Sequence, residues 1–210
     1  MSPRVKVRQY DASRRRTMAE QRRSDVLDAA QQLFFNQGYA ATTIASIAEA
    51  AGVSPETVYK GFGGKPGLVR ALRACALMGT GPVPAEDRSD RLRGLVDGRA
   101  VVRGWAKLAG EVAPQVAPIL TLVREAALLD PTIRELADEL DDDRLRRMRA
   151  NARYLADAGH LRAGVSMRQA TDVLFAVSSP EMYDLLVVRR SWPVGRYIGF
   201  VSTTIEHALL

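Results

Sequence analysis

The sequence predicts an all-α protein built in two lobes, and three observations lead there. Apolar residues recur at three- and four-residue spacing through most of the chain, the period of a helix with one buried face. Alanine and leucine are abundant while only 6% of the 210 residues are aromatic, a poor composition for sheet. The stretch GTGPVPAEDRSD, residues 79–90, breaks the periodic pattern with glycine, proline and charge, and so marks a link between two periodic regions.

The two regions differ in charge. Residues 1–78 carry twelve Lys/Arg and six Asp/Glu, whereas residues 79–210 carry eighteen of each. The whole net charge of +6 therefore sits on the first lobe. A basic lobe joined to a neutral one suggests a nucleic-acid module coupled to a part with another task. No apolar run approaches the roughly 20 residues that span a bilayer. The opening residues are basic and polar, unlike a secretory signal. Cys75 is the single cysteine, and the two histidines lie far apart, so neither a disulfide nor a metal cluster is expected. A cytoplasmic protein without membrane, metal or cofactor is the expectation.

Residues 1–17 are expected to be a flexible basic arm. MSPRVKVRQYDASRRR holds six basic residues without helical periodicity. Arg14, Arg15 and Arg16 could reach phosphates or a minor groove, as basic arms do; a solvated tail is the alternative. A first helix is predicted from Met18 to Gln37, with Val26, Leu27, Ala30, Leu33 and Phe34 as its apolar stripe and Gly38 as its stop. Residues 42–65, TTIASIAEAAGVSPETVYKGFGGK, then read as two short helices joined by a tight turn. Thr43 is the N-cap of the first, Gly52 ends it, Ser54 caps the second, and Pro55 takes the first helical position, where its missing amide is harmless. Val58 and Phe62 face inward, leaving Glu56, Thr57, Tyr59 and Lys60 outside. A short helix with a small, polar and basic outer face, set across another by a glycine turn, is a helix-turn-helix, a unit that lays its second helix in the DNA major groove.

The succession Gly38-Tyr39, Thr42-Thr43-Ile44, Ile47-Ala48, Ala51-Gly52-Val53-Ser54, Thr57-Val58-Tyr59, Phe62 and Lys65 through Leu68 resembles the N-terminal domain of the TetR family of transcriptional regulators. The resemblance covers about residues 20–70. It implies a helix-turn-helix DNA-binding domain over 18–64, a connecting helix over 65–78, and a C-terminal helical ligand-binding and dimerisation domain over 79–210. It also implies a recognition helix from Pro55 to Gly61 in which Thr57, Tyr59 and Lys60 match DNA-contacting positions. The chemistry suits that role. Thr57 offers a methyl and a hydroxyl, Tyr59 a phenol donor, and Lys60 an ammonium for a phosphate or guanine edge. Thr43 can offer its hydroxyl and the free amides of a helix start to a phosphate, and Lys65 its ammonium. Two positions depart from the family pattern. Ala45 stands where a basic residue is common, and Gly61 where a larger polar or aromatic residue is common.

The fourth helix is predicted from Lys65 to Met78, with Leu68, Val69, Leu72 and Ala76 inward and Cys75 as a small buried residue. Beyond the link, a helix from Asp87 to Ala113 is expected to break at Pro114 and Pro118, and a second to run from Pro118 to Leu129. A long helix follows from Thr132 to Ala158, and its run DELDDDRLRRMR reads as a solvated face laced with ion pairs. His160 is expected as a cap or surface residue. Further helices are expected from Ser166 to Val177, from Pro180 to Arg189, and from Trp192-Pro193 to Leu210. Tyr183, Leu186, Val187, Ile198, Val201, Ile205 and Leu209 are too apolar for an exposed surface. By the resemblance, the last two helices would form a four-helix bundle between two copies. Two recognition helices on a palindromic double-stranded DNA operator also bind better than one. The resemblance further implies a small-molecule effector in the second lobe. Trp105, Leu108, Leu120, Met148, Tyr154 and Phe175 are candidates to line its pocket, which suggests an apolar or aromatic ligand. The resulting expectation is a dimeric repressor released by a ligand, with an activator or a ligand-independent DNA-binding protein as alternatives. No nucleophile with a base, no metal-ligand spacing and no phosphate-binding glycine loop supports an enzyme.

Overall fold

The computed structural model describes the backbone of residues 6–94 and 97–210, and side chains from Arg14 onward outside residues 95 and 96. Every regular element among them is helical. The chain divides into two compact units, Met1–Leu72 and Arg73–Leu210.

In the first unit, α1 (Lys6–Ala41) is broken at Gly38, whose φ of 82° and ψ of 163° leave the helical region. The helix starts a dozen residues before the predicted Met18. Residues 6–16 therefore continue α1 instead of forming a flexible arm, and Arg14, Arg15 and Arg16 are exposed on it. The arginines, Gln9 and Ala12 are good helix formers, and extending a helix adds one hydrogen bond per residue fixed. The first five residues of the expected arm lie outside the described residues. After Gly38 the chain folds back. Tyr39 stacks on Phe34 with ring centroids 5.3 Å apart, and the Thr42 hydroxyl donates to the Gly38 carbonyl at 2.8 Å. Helices α2 (Ile44–Ala50), α3 (Pro55–Phe62) and the first half of α4 (Lys65–Met78) close over α1. Val26, Ala30, Phe34, Ile47, Val58 and Leu68 are 0–2% exposed. Each of these side chains except Ala30 contributes roughly 1.5–3 kcal/mol.

Helix α4 carries the chain into the second unit, made of α5 (Ala85–Leu92), α6 (Gly98–Ala127), α7 (Pro131–Asp157), α8 (Met167–Val177), α9 (Pro180–Tyr183) and α10 (Val194–Leu209). Side chains of Asp97, Asp130, Ser166 and Ser179 cap α6 through α9. Over Asp184–Arg189 the chain widens into a π-helical turn. Val101, Val102, Leu155, Tyr197, Val201 and Leu209 form the centre of the core.

Four expectations are corrected here. The predicted helix from Asp87 divides into α5 and α6, and α6 then runs unbroken through Pro114 and Pro118. Both prolines are exposed and lie one turn apart on the same side of the helix. Cys75 is exposed, not buried. Tyr183, Leu186, Val201, Ile205 and Leu209 are 0–6% exposed within a single chain, so the apolar tail fills this unit's own core. Val187 and Ile198 are half-buried against the same cluster. The charged run of α7 is solvated only in part. Asp143 binds Arg73 at 2.8 Å and also Arg146, Asp141 binds Arg124 at 2.6 Å, and Arg144 and Arg147 turn inward.

Candidate nucleic-acid interface and cavity

The helix-turn-helix is fixed by its caps. The Thr43 hydroxyl accepts from the Ser46 amide at 3.0 Å, while the Ser46 hydroxyl accepts from the Thr43 amide at 3.1 Å. This reciprocal box anchors the start of α2. Gly52, at φ 65°, makes the turn. The Ser54 hydroxyl accepts from the Thr57 amide at 3.2 Å and lies 2.9 Å from the Thr57 hydroxyl. Val58, fully buried, pins α3 from below. The opposite face carries Pro55, Glu56, Thr57, Tyr59, Lys60 and Gly61, all exposed, with Tyr59 at 56%. At Gly61 a side chain would meet nothing within 4 Å, so the surface is open there.

Lys65 behaves differently from its sequence reading. Its ammonium donates to the carbonyls of Tyr39 at 2.8 Å and Thr42 at 2.9 Å, reaches that of Ala40 at 3.5 Å, and sits 4.4 Å over the Tyr39 ring. A lysine has three N–H donors, and these carbonyls take them up. Lys65 thus closes the end of α1 and is not presented to a phosphate. Arg23 also works within the unit. It stacks over Phe62 at 4.5 Å and donates to the Gly61 carbonyl at 3.4 Å, bracing the end of α3. Gly67 admits no side chain, because a Cβ there would strike the Phe62 carbonyl.

The second unit holds a cavity of about 170 Å³, open to solvent on one side, between α6, α7 and their neighbours. Of the six residues expected there, Trp105, Leu108, Leu120 and Met148 line it. Tyr154 instead packs edge-on against Trp105, with centroids 6.2 Å apart. Phe175 lies under the Arg144 guanidinium, 3.5 Å from ring to cation. The Trp105 indole donates to the Ser89 carbonyl at 3.2 Å, which fixes its ring in the wall.

Sequence reasoning missed the polar part of this wall: Arg73, Arg144, Arg147 and Asn151. A signal was present. Leu140, Arg144, Arg147, Met148 and Asn151 fall at helical spacing on α7, so one face mixes apolar and cationic groups. Arg147 binds Asp90 at 2.7 Å, and the Asn151 side-chain oxygen accepts from Arg93 at 2.9 Å. Burial holds Arg144 well below the usual arginine value, at about 10. Burial likewise pushes the Tyr197 phenol up to about 12. His160, expected as a surface residue, is half-buried with its ring 6.0 Å from that of Tyr154.

Near the start of this unit, Glu111 of α6 holds Arg88 in a two-pronged pair at 2.8 and 2.9 Å and accepts from the Thr80 amide at 2.7 Å. The Arg88 hydrogen bond, followed by those from Thr80, lowers the Glu111 carboxyl to about 2 against the opposing effect of burial. Among the described residues no three acidic, cysteine or histidine side chains group to hold a metal, and no helix is long and apolar enough to cross a membrane.

Residues 26–72 match the family model described as "Bacterial regulatory proteins, tetR family". The chain is 39% identical over 71 residues to the HTH-type transcriptional regulator YvkB of Bacillus subtilis, covering 34% of this chain and 38% of that protein. It is 43% identical over 54 residues to the HTH-type transcriptional regulator TtgR of Pseudomonas putida, 26% of each chain. The matches thus span well under half of these regulators. Similarity in fold runs much further. The crystal structure of NalD, the secondary repressor of the MexAB-OprM multidrug efflux pump in Pseudomonas aeruginosa, superposes with a TM-score of 0.70 at 22% identity, over 92% of this chain and 98% of that one. The fatty acid degradation regulator FadR from Bacillus halodurans superposes with a TM-score of 0.67 at 17% identity, over 88% and 94%.

Proposed function

We propose that this chain, whose residues 26–72 match the TetR family model, is a dimeric transcriptional repressor of that family. It grips a palindromic operator through α3 and leaves it when a small molecule occupies the cavity. The observation that carries this reading is the outer face of α3, where Thr57, Tyr59 and Lys60 stand exposed on a helix held rigid by Ser54 and Val58. Thr43 and Ser54 contribute to the same surface chiefly through the helix starts they cap. The exposed Arg14, Arg15 and Arg16 add cationic charge on α1.

The dimer face is reassigned. Because most of the predicted interface residues fill the core, the proposed face uses what that core leaves outside. Leu185 and Val188 are 48% and 61% exposed, and Gly195 and Gly199 lie one turn apart on α10 with open space beyond them. A smooth helix face lets a second helix approach closely. Helix α4 is the proposed route of response. Leu68, Val69 and Leu72 are buried in the N-terminal unit, and Arg73 and Leu77 line the cavity. An effector that binds the DNA-incompetent state better would shift the equilibrium by ~1–3 kcal/mol of coupling.

The test is a fluorescence-anisotropy titration with a duplex carrying the palindrome upstream of the protein's own gene, against a scrambled duplex. Specific binding by two protomers, abolished when Lys60→Ala and Tyr59→Phe are combined, is expected. Equal affinity for both duplexes would replace the repressor reading with that of an architectural protein.

A further inference from the structure

Most of the cavity wall is hydrocarbon, contributed by residues such as Leu108, Val112, Val116 and Leu120. Set into it are three arginines, Arg73, Arg144 and Arg147, against a single acid, Glu86, which is exposed. The arginines are not equivalent. Arg73 is paired with Asp143 and Arg147 with Asp90. Arg144 has no carboxylate bound among the described residues. Its nearest acid in electrostatic terms, Asp141, is hydrogen-bonded to Arg124. What Arg144 has is the Phe175 carbonyl, which accepts from Nη1 at 2.6 Å, and the face of the Phe175 ring. Its Nε is buried with no hydrogen-bond partner among the described residues. The Tyr197 hydroxyl is buried and unpartnered in the same way, and each group feels the charge of the other. Tyr197 lies on α10 one turn before Val201, which itself lines the cavity.

Buried donors without acceptors, and a buried cation without an anion, are both unfavourable. Arg144, half-buried in the wall of an apolar cavity with its Nε unpartnered among the described residues, is relieved by a ligand that brings an acceptor with negative charge. We propose that the effector is a small hydrophobic carboxylate, its head group bound by Arg144, and its hydrocarbon body lying along α6 against Trp105 and Leu120. This rests on the reading of the cavity as an effector site, and it replaces the simply apolar or aromatic ligand that the hydrocarbon lining suggests. A carboxylate also matches the planar fork of a guanidinium, which an alcohol or an amine does not.

The experiment measures binding to the full-length protein without DNA, by calorimetry, for straight-chain carboxylates from hexanoate to dodecanoate and for the alcohols and amines of equal length. At least one carboxylate is expected to bind about tenfold more tightly than its alcohol, with the amine weakest. Arg144→Met should erase that preference and Arg144→Lys should keep part of it, with circular dichroism confirming that each variant is folded. If no carboxylate binds, or if alcohols bind as well as their acids to the unaltered protein, the proposal is overturned; neither result depends on a variant folding. Retention of the preference by folded Arg144→Met would overturn it equally. A carboxylate that binds but does not lower operator affinity would leave this inference standing and sink the ligand-release reading instead.

Discussion

On α3, three side chains proposed to contact DNA within four residues, Thr57, Tyr59 and Lys60, all face solvent. On α7, two arginines three residues apart, Arg144 and Arg147, face the cavity. The N-terminal unit offers its chemistry on the outside of one short segment. The C-terminal unit assembles its own from seven helices, α4 through α10, with the polar groups directed inward. The contrast teaches where a charged residue can be read locally. An outward-facing group needs only its own helix to be placed, whereas an inward-facing one is defined by what the other helices leave unpaired around it. Lys60 and Lys65 repeat the lesson inside one unit: five residues apart, one is exposed and the other is spent on the carbonyls that end α1.

The largest expected effect comes from driving a charge into the inward-facing unit. Val201→Asp should destabilise the C-terminal unit by more than about 3 kcal/mol, because an uncompensated carboxylate would enter a site 1% exposed. Thermal melting measures this, and a dissociated but fully folded monomer would restore Val201 to a dimer interface. Next comes the lysine pair. Lys65→Met should lower the stability of the N-terminal unit by about 2 kcal/mol through the carbonyls left unsatisfied. Lys60→Ala should leave the melting temperature alone while weakening DNA binding and reducing its salt slope by about 1. If Lys65→Met lost DNA affinity without losing stability, the division between the two lysines would fail.

A smaller effect is expected from acid. The Glu111 carboxyl titrates at about 2, against 4.5 for an ordinary one. A depressed folded value means that the stabilising contribution is complete above about pH 4.5 and is lost as pH falls toward 2. Glu111→Gln should therefore lower stability at pH 7 by about 1–2 kcal/mol and flatten the acid limb of the C-terminal unit. Parallel acid limbs for the two proteins would show that the Arg88 pair contributes nothing.

The fold class, the helix-turn-helix and most helix starts were legible because they are local. Thr43, Ser54, Asp130 and Ser166 announce their helices through a hydroxyl or carboxylate beside a free amide. What was not legible was nonlocal. Nothing near Lys65 says that the end of α1 lies within its reach. The apolar residues from Tyr183 to Leu209 look alike whether they face a partner or their own core, and only the packing of α6, α7 and α8 decides for the core. The prolines of α6 were over-read, since packing of the rest of a 30-residue helix can outweigh the local cost of a proline. Four apolar residues of the cavity wall, Trp105, Leu108, Leu120 and Met148, were found by residue type, while Val201 and Ile205 of the same wall were expected at a dimer face. The cationic part was hidden in a run whose alternating charges also describe an ordinary wet helix face.

Gly61 and Gly67 flank the junction between α3 and α4, and together they set how that junction tolerates change. Where Gly61 stands, any side chain finds open space; where Gly67 stands, even a methyl group collides with the Phe62 carbonyl. A saturation library across residues 61–67, sorted by repression in cells, should therefore give a steep gradient. Position 61 would be permissive, and a basic residue there should even tighten operator binding. Position 67 would return glycine alone. The angle at which α3 leaves the body of the protein is thus inherited through a residue that touches no DNA, and variation in what the protein recognises has room to arise at 61 without disturbing it.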